Sequence, residues 1–229
     1  MAFFAKILDK ILHRNKPSLK HVFALFSFVF VVWTIYRYFP EILPTWAEEL
    51  ILKPLIWLPI TFWLVLKVEK NKLSSLGLTA KNLFPSIYWG IGLGIVYALE
   101  GFLANILKYG GVHISQLGYT PASFFWMLVI SFATAFTEEL VFRGYIYNRL
   151  VKIWGKEWLA NLVSSLLFVL IHLPVGVFVL GYTPVIMLIY LLLVFIYAIG
   201  SGFVLARTNN LMSSILLHVF WSWPIILFK

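Results

Sequence analysis

Almost every stretch of this 229-residue chain that is long enough to form a helix is apolar from end to end. Crossing a hydrocarbon core about 30 Å thick takes roughly 20 predominantly apolar residues. Seven runs meet that requirement, at about 21–39, 50–67, 84–107, 122–142, 158–174, 183–205 and 211–228. With 62% apolar and only 12% charged residues, against about 45–50% and about 25% in soluble domains, the chain cannot hide this surface in a soluble fold. The runs lack the in–out alternation of barrel strands. The expected fold class is therefore all-α: a polytopic transmembrane bundle of about seven helices. The absence of cysteine excludes disulfides, thiolate metal sites and a cysteine nucleophile.

Three regions follow from this reading. Residues 1–20 carry Lys6, Lys10, Arg14, Lys16 and Lys20 around a short apolar stripe, the pattern of an amphipathic segment lying in the membrane interface. No small-residue cleavage site follows the first long run, which argues against a secretory signal. Residues 21–120 supply accessory transmembrane helices, and 121–229 hold most of the polar chemistry. In the third run, Trp89-Gly90-Ile91-Gly92-Leu93-Gly94 predicts close helix approach through small residues. Orientation follows from the basic residues. With a cytoplasmic N-terminus, the 1–20 segment, the 67–81 region, Arg143 to Lys156 and Arg207 place fourteen of the 18 basic residues on that side. Arg37, Lys53, Lys108 and Lys229 fall on the other side, a clear positive-inside bias. The net charge of +9 is thereby explained by topology and by contact with an anionic lipid bilayer. The basic residues are spread over successive loops with no nucleic-acid module, so no nucleic acid partner is expected.

Ionisable groups inside a span are costly and usually functional, and here they are few. Glu100, Glu138, Glu139, Arg143, His172 and His218 are the interior candidates, whereas Asp9, Glu41, Glu48, Glu49, Glu69 and Glu157 read as solvated terminal or loop charges. Adjacent Glu138 and Glu139 project about 100° apart on a helix, so they need different partners. Glu139 and Arg143 stand at i and i+4 in the favourable acid-first order for an intrahelical ion pair. Glu138 is then left to project into the bundle as the better base. Phe168 and His172 lie one turn apart on the same helical face, just before Pro174. Ser214, His218 and Ser222 form a polar stripe on the last span, expected to face the bundle interior. One carboxylate pair and two histidines from three helices point to a polar catalytic or metal pocket.

These residues resemble a known family, the intramembrane proteases related to the type II CAAX prenyl protease, grouped with bacteriocin self-immunity proteins. Its EExxxR motif is matched by Glu138, Glu139 and Arg143, and its FxxxH motif by Phe168 and His172. Its later histidine, followed at i+4 by Asn or Asp, is matched by His218, with Ser222 in the last place. The resemblance covers about residues 120–225, and Leu76-Gly77-Leu78-Thr79 is similar to the family's lead-in. It implies that 121–229 is a CAAX-protease-like core acting as an intramembrane endopeptidase on a peptide or protein substrate, prenylated in the eukaryotic type. The implied site is Glu138 and His172 activating water, with His218 stabilising the oxyanion, helped by Ser222; Glu139, Arg143 and Phe168 support it. Ser222 is shorter than the family's Asn and lacks its amide.

Two other readings fit these residues. Glu138, His172 and His218 with a free fourth position could also hold a catalytic zinc, although HExxH is absent. A non-enzymatic role, as a bacteriocin-immunity factor or small transporter with Glu100 in a proton relay, is the competing reading, but no inverted repeat supports transport. The expected location is a prokaryotic cell membrane, with the pocket open to the cytoplasm. Counting from span ends near Arg149, Trp158 and Leu211 puts Glu138 about 15 Å, His172 about 20 Å and His218 about 10 Å deep. These agree only if the fifth helix starts deeper than Trp158 or tilts.

Overall fold

The computed structural model describes residues 17–39, 43–112 and 120–227, and every major element in it is a helix. The basic residues of 1–16, Asp9, Glu41 and Lys229 lie outside the described residues. Seven helices follow one another: α1 Leu19–Tyr38, α2 Thr45–Val68, α3 Leu83–Tyr109, α4 Pro121–Trp154, α5 Glu157–Val179, α6 Pro184–Thr208 and α7 Met212–Leu227. Six are long and apolar enough to span a membrane, and α7 is a shorter apolar helix.

The helix ends follow local chemistry. Ser18 caps α1 by accepting from the His21 backbone N–H, and Thr120 with Ser123 forms a reciprocal cap ahead of Pro121 on α4. Gly155, at φ +64°, ends α4 and allows the immediate turn into α5. Outward faces carry bare apolar side chains such as Phe84, Leu107, Val185 and Leu188. A chain whose backbone groups are satisfied within helices can present such faces to lipid.

The glycine run on α3 does what its sequence predicts. A Cβ added at Gly90 would lie 2.7 Å from the Ser213 carbonyl oxygen of α7, whereas one at Gly92 would meet nothing within 4 Å. Close backbone approach on one face thus seats α3 against α7. The other side of α7 packs on α4 and α6. The start of α7 is held by the Leu76-Gly77-Leu78-Thr79 turn. The Leu211 N–H donates to the Gly77 carbonyl at 2.9 Å, and the Asn210 side-chain amide donates to the Thr79 carbonyl at 2.7 Å. Gly77 holds φ +80°, a conformation open to glycine and strained for other residues.

Two sequence expectations need correction. Glu48, Glu49 and Glu69 are buried rather than solvated, at 5%, 8% and 2% exposure; Glu157 is exposed as expected. The reason is that α2 begins at Thr45, ahead of the expected start near 50, and each acid meets a cation or donor inside the bundle. Glu48 pairs with Arg37 of α1. Glu69 accepts from Arg149 Nε at 2.8 Å and from the Tyr145 hydroxyl at 2.8 Å, while Arg149 also reaches the Ser75 carbonyl.

The second correction concerns depth. Helix α5 starts at Glu157, not deeper, and α4 runs on to Trp154. Glu138 and His172 are therefore about 24 and 22 Å along their helices from that end, in good agreement. α7 starts at Met212, directly after the residues that bond the 76–79 turn. The shorter helical routes from the site run to the starts of α2 and the end of α5, about 12 Å from Lys53 and about 10 Å from His172.

Candidate active site

Adjacent Glu138 and Glu139 leave α4 in different directions, and His218 of α7 lies between them. Its Nδ1 is 3.0 Å from Glu139 Oε1 and its Nε2 is 3.9 Å from Glu138 Oε2. Because a carboxylate only accepts, the Nδ1 proton belongs on the Glu139 side, which fixes the ring and leaves Nε2 facing Glu138. Tyr197 of α6 packs against the same imidazole at 4.8 Å between ring centroids, with Trp221 at 6.0 Å.

Glu139 has no solvent exposure and is saturated with partners. It accepts from the Tyr197 hydroxyl, from Ser201 Oγ at 2.6 Å and from His218, and Arg143 Nε stands 3.3 Å from its Oε2. The expected i, i+4 ion pair is thus present. Arg143, equally buried, also donates to the Ala198 carbonyl at 3.0 Å and lies 4.3 Å over the Phe168 ring. This explains why a phenylalanine precedes His172 by one turn. Phe168 is the apolar hub of the site, with His172 at 4.6 Å and His218 at 6.2 Å between ring centroids.

His172 places Nδ1 2.8 Å from the Phe168 carbonyl oxygen. Since the carbonyl accepts, the neutral ring carries its lone pair on Nε2. The ring is close enough to interact electrostatically with both Glu138 and His218. All three expected site residues therefore share one neighbourhood. Ser214 is buried as expected and donates to the Ser201 carbonyl. Ser222 is not directed at His218; its hydroxyl turns back to the Val219 carbonyl of its own helix. Glu100, partly buried on α3, takes no part in these hydrogen bonds or ion pairs.

The sequence reading missed Lys53. It is 3% exposed and donates to Glu49 Oε1 at 2.7 Å and to Glu138 Oε1 at 2.9 Å. Thr134 of α4 in turn donates to Glu49 Oε2 at 2.7 Å. The signal was present in the chain: Glu49 and Lys53 stand at i and i+4 in the same acid-first order as Glu139 and Arg143. Tyr197 and Ser201, also four apart, are a second polar pair in a largely apolar helix.

The residues as arranged do not fit the zinc expectation. Among the described residues no three His, Cys, Asp or Glu side chains form a group suited to a metal ion. The physical reason is the Lys53 ammonium, a cation already seated on the carboxylate that would have to serve as ligand. Glu139, the other carboxylate beside His218, is already engaged by Arg143, Tyr197 and Ser201.

Fold and site together define a polytopic helical membrane protein with a buried cluster of glutamate and histidine side chains. Residues 120–224 match the family described as type II CAAX prenyl endopeptidase, Rce1-like. The matched region holds Glu138, Glu139, Arg143, Phe168, His172 and His218, so this part of the chain is similar to that family. No curated protein and no solved structure matches the chain.

Proposed function

We propose that this protein is an intramembrane endopeptidase in which Glu138 and His172 activate a water molecule and His218 stabilises the oxyanion. The observation that carries the reading is His218 held between two carboxylates, 3.0 Å from one and 3.9 Å from the other. The longer gap exceeds a direct hydrogen bond and suits a water or substrate oxygen touching both groups. Glu138 takes a proton from that water as its oxygen attacks the scissile carbonyl, while the unprotonated Nε2 of His172 accepts the water's second hydrogen bond. His218, in its imidazolium form, directs Nε2–H at the oxygen that becomes negative, with Glu139 compensating the ring charge through Nδ1–H. Glu138 then hands its proton to the departing amine, closing the cycle without a metal.

The family match over residues 120–224 favours a peptide bearing a prenylated C-terminal CaaX sequence as substrate. The test is reconstitution in liposomes of phosphatidylethanolamine and phosphatidylglycerol with a farnesylated CaaX peptide, following the released C-terminal tripeptide by mass spectrometry. The expected result is release by the parent and a loss of about 10²-fold or more in His172→Ala. No release, or equal release by a folded His172→Ala variant, overturns the reading.

A further inference from the structure

Lys53 belongs to α2, outside the 120–224 region, and none of the matched motifs includes it. A buried ammonium is costly unless charged partners surround it. Here the partners form a chain of side chains, Thr134–Glu49–Lys53–Glu138, across two helices. Glu49 and Lys53 stand one turn apart on α2, Thr134 and Glu138 one turn apart on α4. The contacts Lys53–Glu49, Lys53–Glu138 and Thr134–Glu49 tie the two helices together. The Trp33 and Trp57 rings, with centroids 5.3 and 5.8 Å from Nζ, wall the ammonium in. A π-type turn at Glu48–Leu52 leads directly into Lys53, an irregularity often found next to functional residues.

We propose that Lys53 is a positioning residue for the hydrolytic site. By holding Oε1 of Glu138, its ammonium leaves Oε2 as the oxygen presented to His218 Nε2 and to the reacting water. Without that anchor the Glu138 carboxylate can turn about its last torsion and lose the alignment. The inference rests on the endopeptidase reading, so its test has one arm that needs no substrate.

In the first arm, thermal unfolding is followed for the parent, Lys53→Met, Glu138→Gln and the double variant. Lys53→Met should lower the midpoint by about 6–20 °C, because it strands buried carboxylates. Adding Glu138→Gln should cost nothing further or recover part of that fall, since coupled neighbours are not additive. Additive shifts would mean that the contact carries no energy and would overturn the proposal.

In the second arm, cleavage of the farnesylated peptide is measured for Lys53→Ala. The expected result is a fall in kcat of about 10²-fold with KM nearly unchanged, the signature of misplacement rather than lost binding. Propylammonium, which restores the missing cation, should raise kcat, whereas propanol of the same size should not. A folded Lys53→Ala with the parent's kcat, or equal rescue by propanol, overturns the positioning role. If instead Glu138→Gln cleaves as fast as the parent, the endopeptidase reading fails and takes this inference with it. A silent Lys53→Ala beside an inactive Glu138→Gln fails the inference alone.

Discussion

Replacing Glu139 by Gln separates what this side chain does for the fold from what it does for chemistry. Glu139 and Arg143 have no solvent exposure, and the carboxylate faces Arg143, Tyr197, Ser201 and His218 at once. An amide keeps one acceptor but turns a donor toward groups that also donate, and it leaves the guanidinium buried without its counter-charge. Breaking one side of a buried pair costs about 3–5 kcal/mol, which in a chain of this size corresponds to a midpoint shift of about 6–20 °C. The second variant, Glu139→Gln with Arg143→Met, removes both charges and should recover most of the lost stability, since buried pairs replaced by apolar groups are often neutral. Catalysis should not recover with it. The carboxylate that holds Nδ1–H and balances an imidazolium is still missing, a loss of about 10⁴-fold in a comparable hydrolytic triad. The assays are thermal unfolding in detergent and kcat on the farnesylated peptide. If the single variant melts and cleaves like the parent, or if stability and kcat return together in the double variant, the assignment of Glu139 as the support of His218 is wrong.

The other expectations are briefer. Gly90→Ala should destabilise by about 1–3 kcal/mol through overpacking against the Ser213 carbonyl. Gly92→Ala, one position pair away on the same helix and open to space, should be neutral or better by thermal unfolding. A zinc chelator such as phenanthroline should leave tripeptide release unchanged; loss of release that added zinc restores would reinstate the metal expectation. Because the chain has no cysteine, single cysteines can report its orientation without background. A cysteine at Lys70 should react with an impermeant maleimide only from the cytoplasmic side, and one at Gly181 only from the other; the reverse pattern would refute the reading from basic residues.

The helix count was legible because long apolar runs have one physical use at this length, and the basic loops supplied an orientation in the same stroke. Glu138, Glu139, Arg143 and His172 stood out as interior polar candidates because ionisable residues are rare inside those runs. Lys53, Glu48 and Glu49 were lost for the opposite reason. They lie at the edge of α2, where charged residues are ordinary, and only the tertiary fold shows that α2 begins early enough to bury them. Glu69 and Arg149 escaped similarly, since their partnership joins segments about 80 residues apart. The role of Ser222 could not be read from its position on the His218 stripe, because a serine in a helix can satisfy itself on its own backbone, as this one does on Val219.

The most direct measurement is the steady-state kcat of Glu138→Gln on the farnesylated peptide, with Lys53 and the rest of the site intact. Gln preserves the size of the side chain but cannot take a proton from water, so kcat should fall by about 10²–10⁴-fold while KM stays close to the parent value. A folded Glu138→Gln protein that turns over at the parent's rate would contradict the account at its centre.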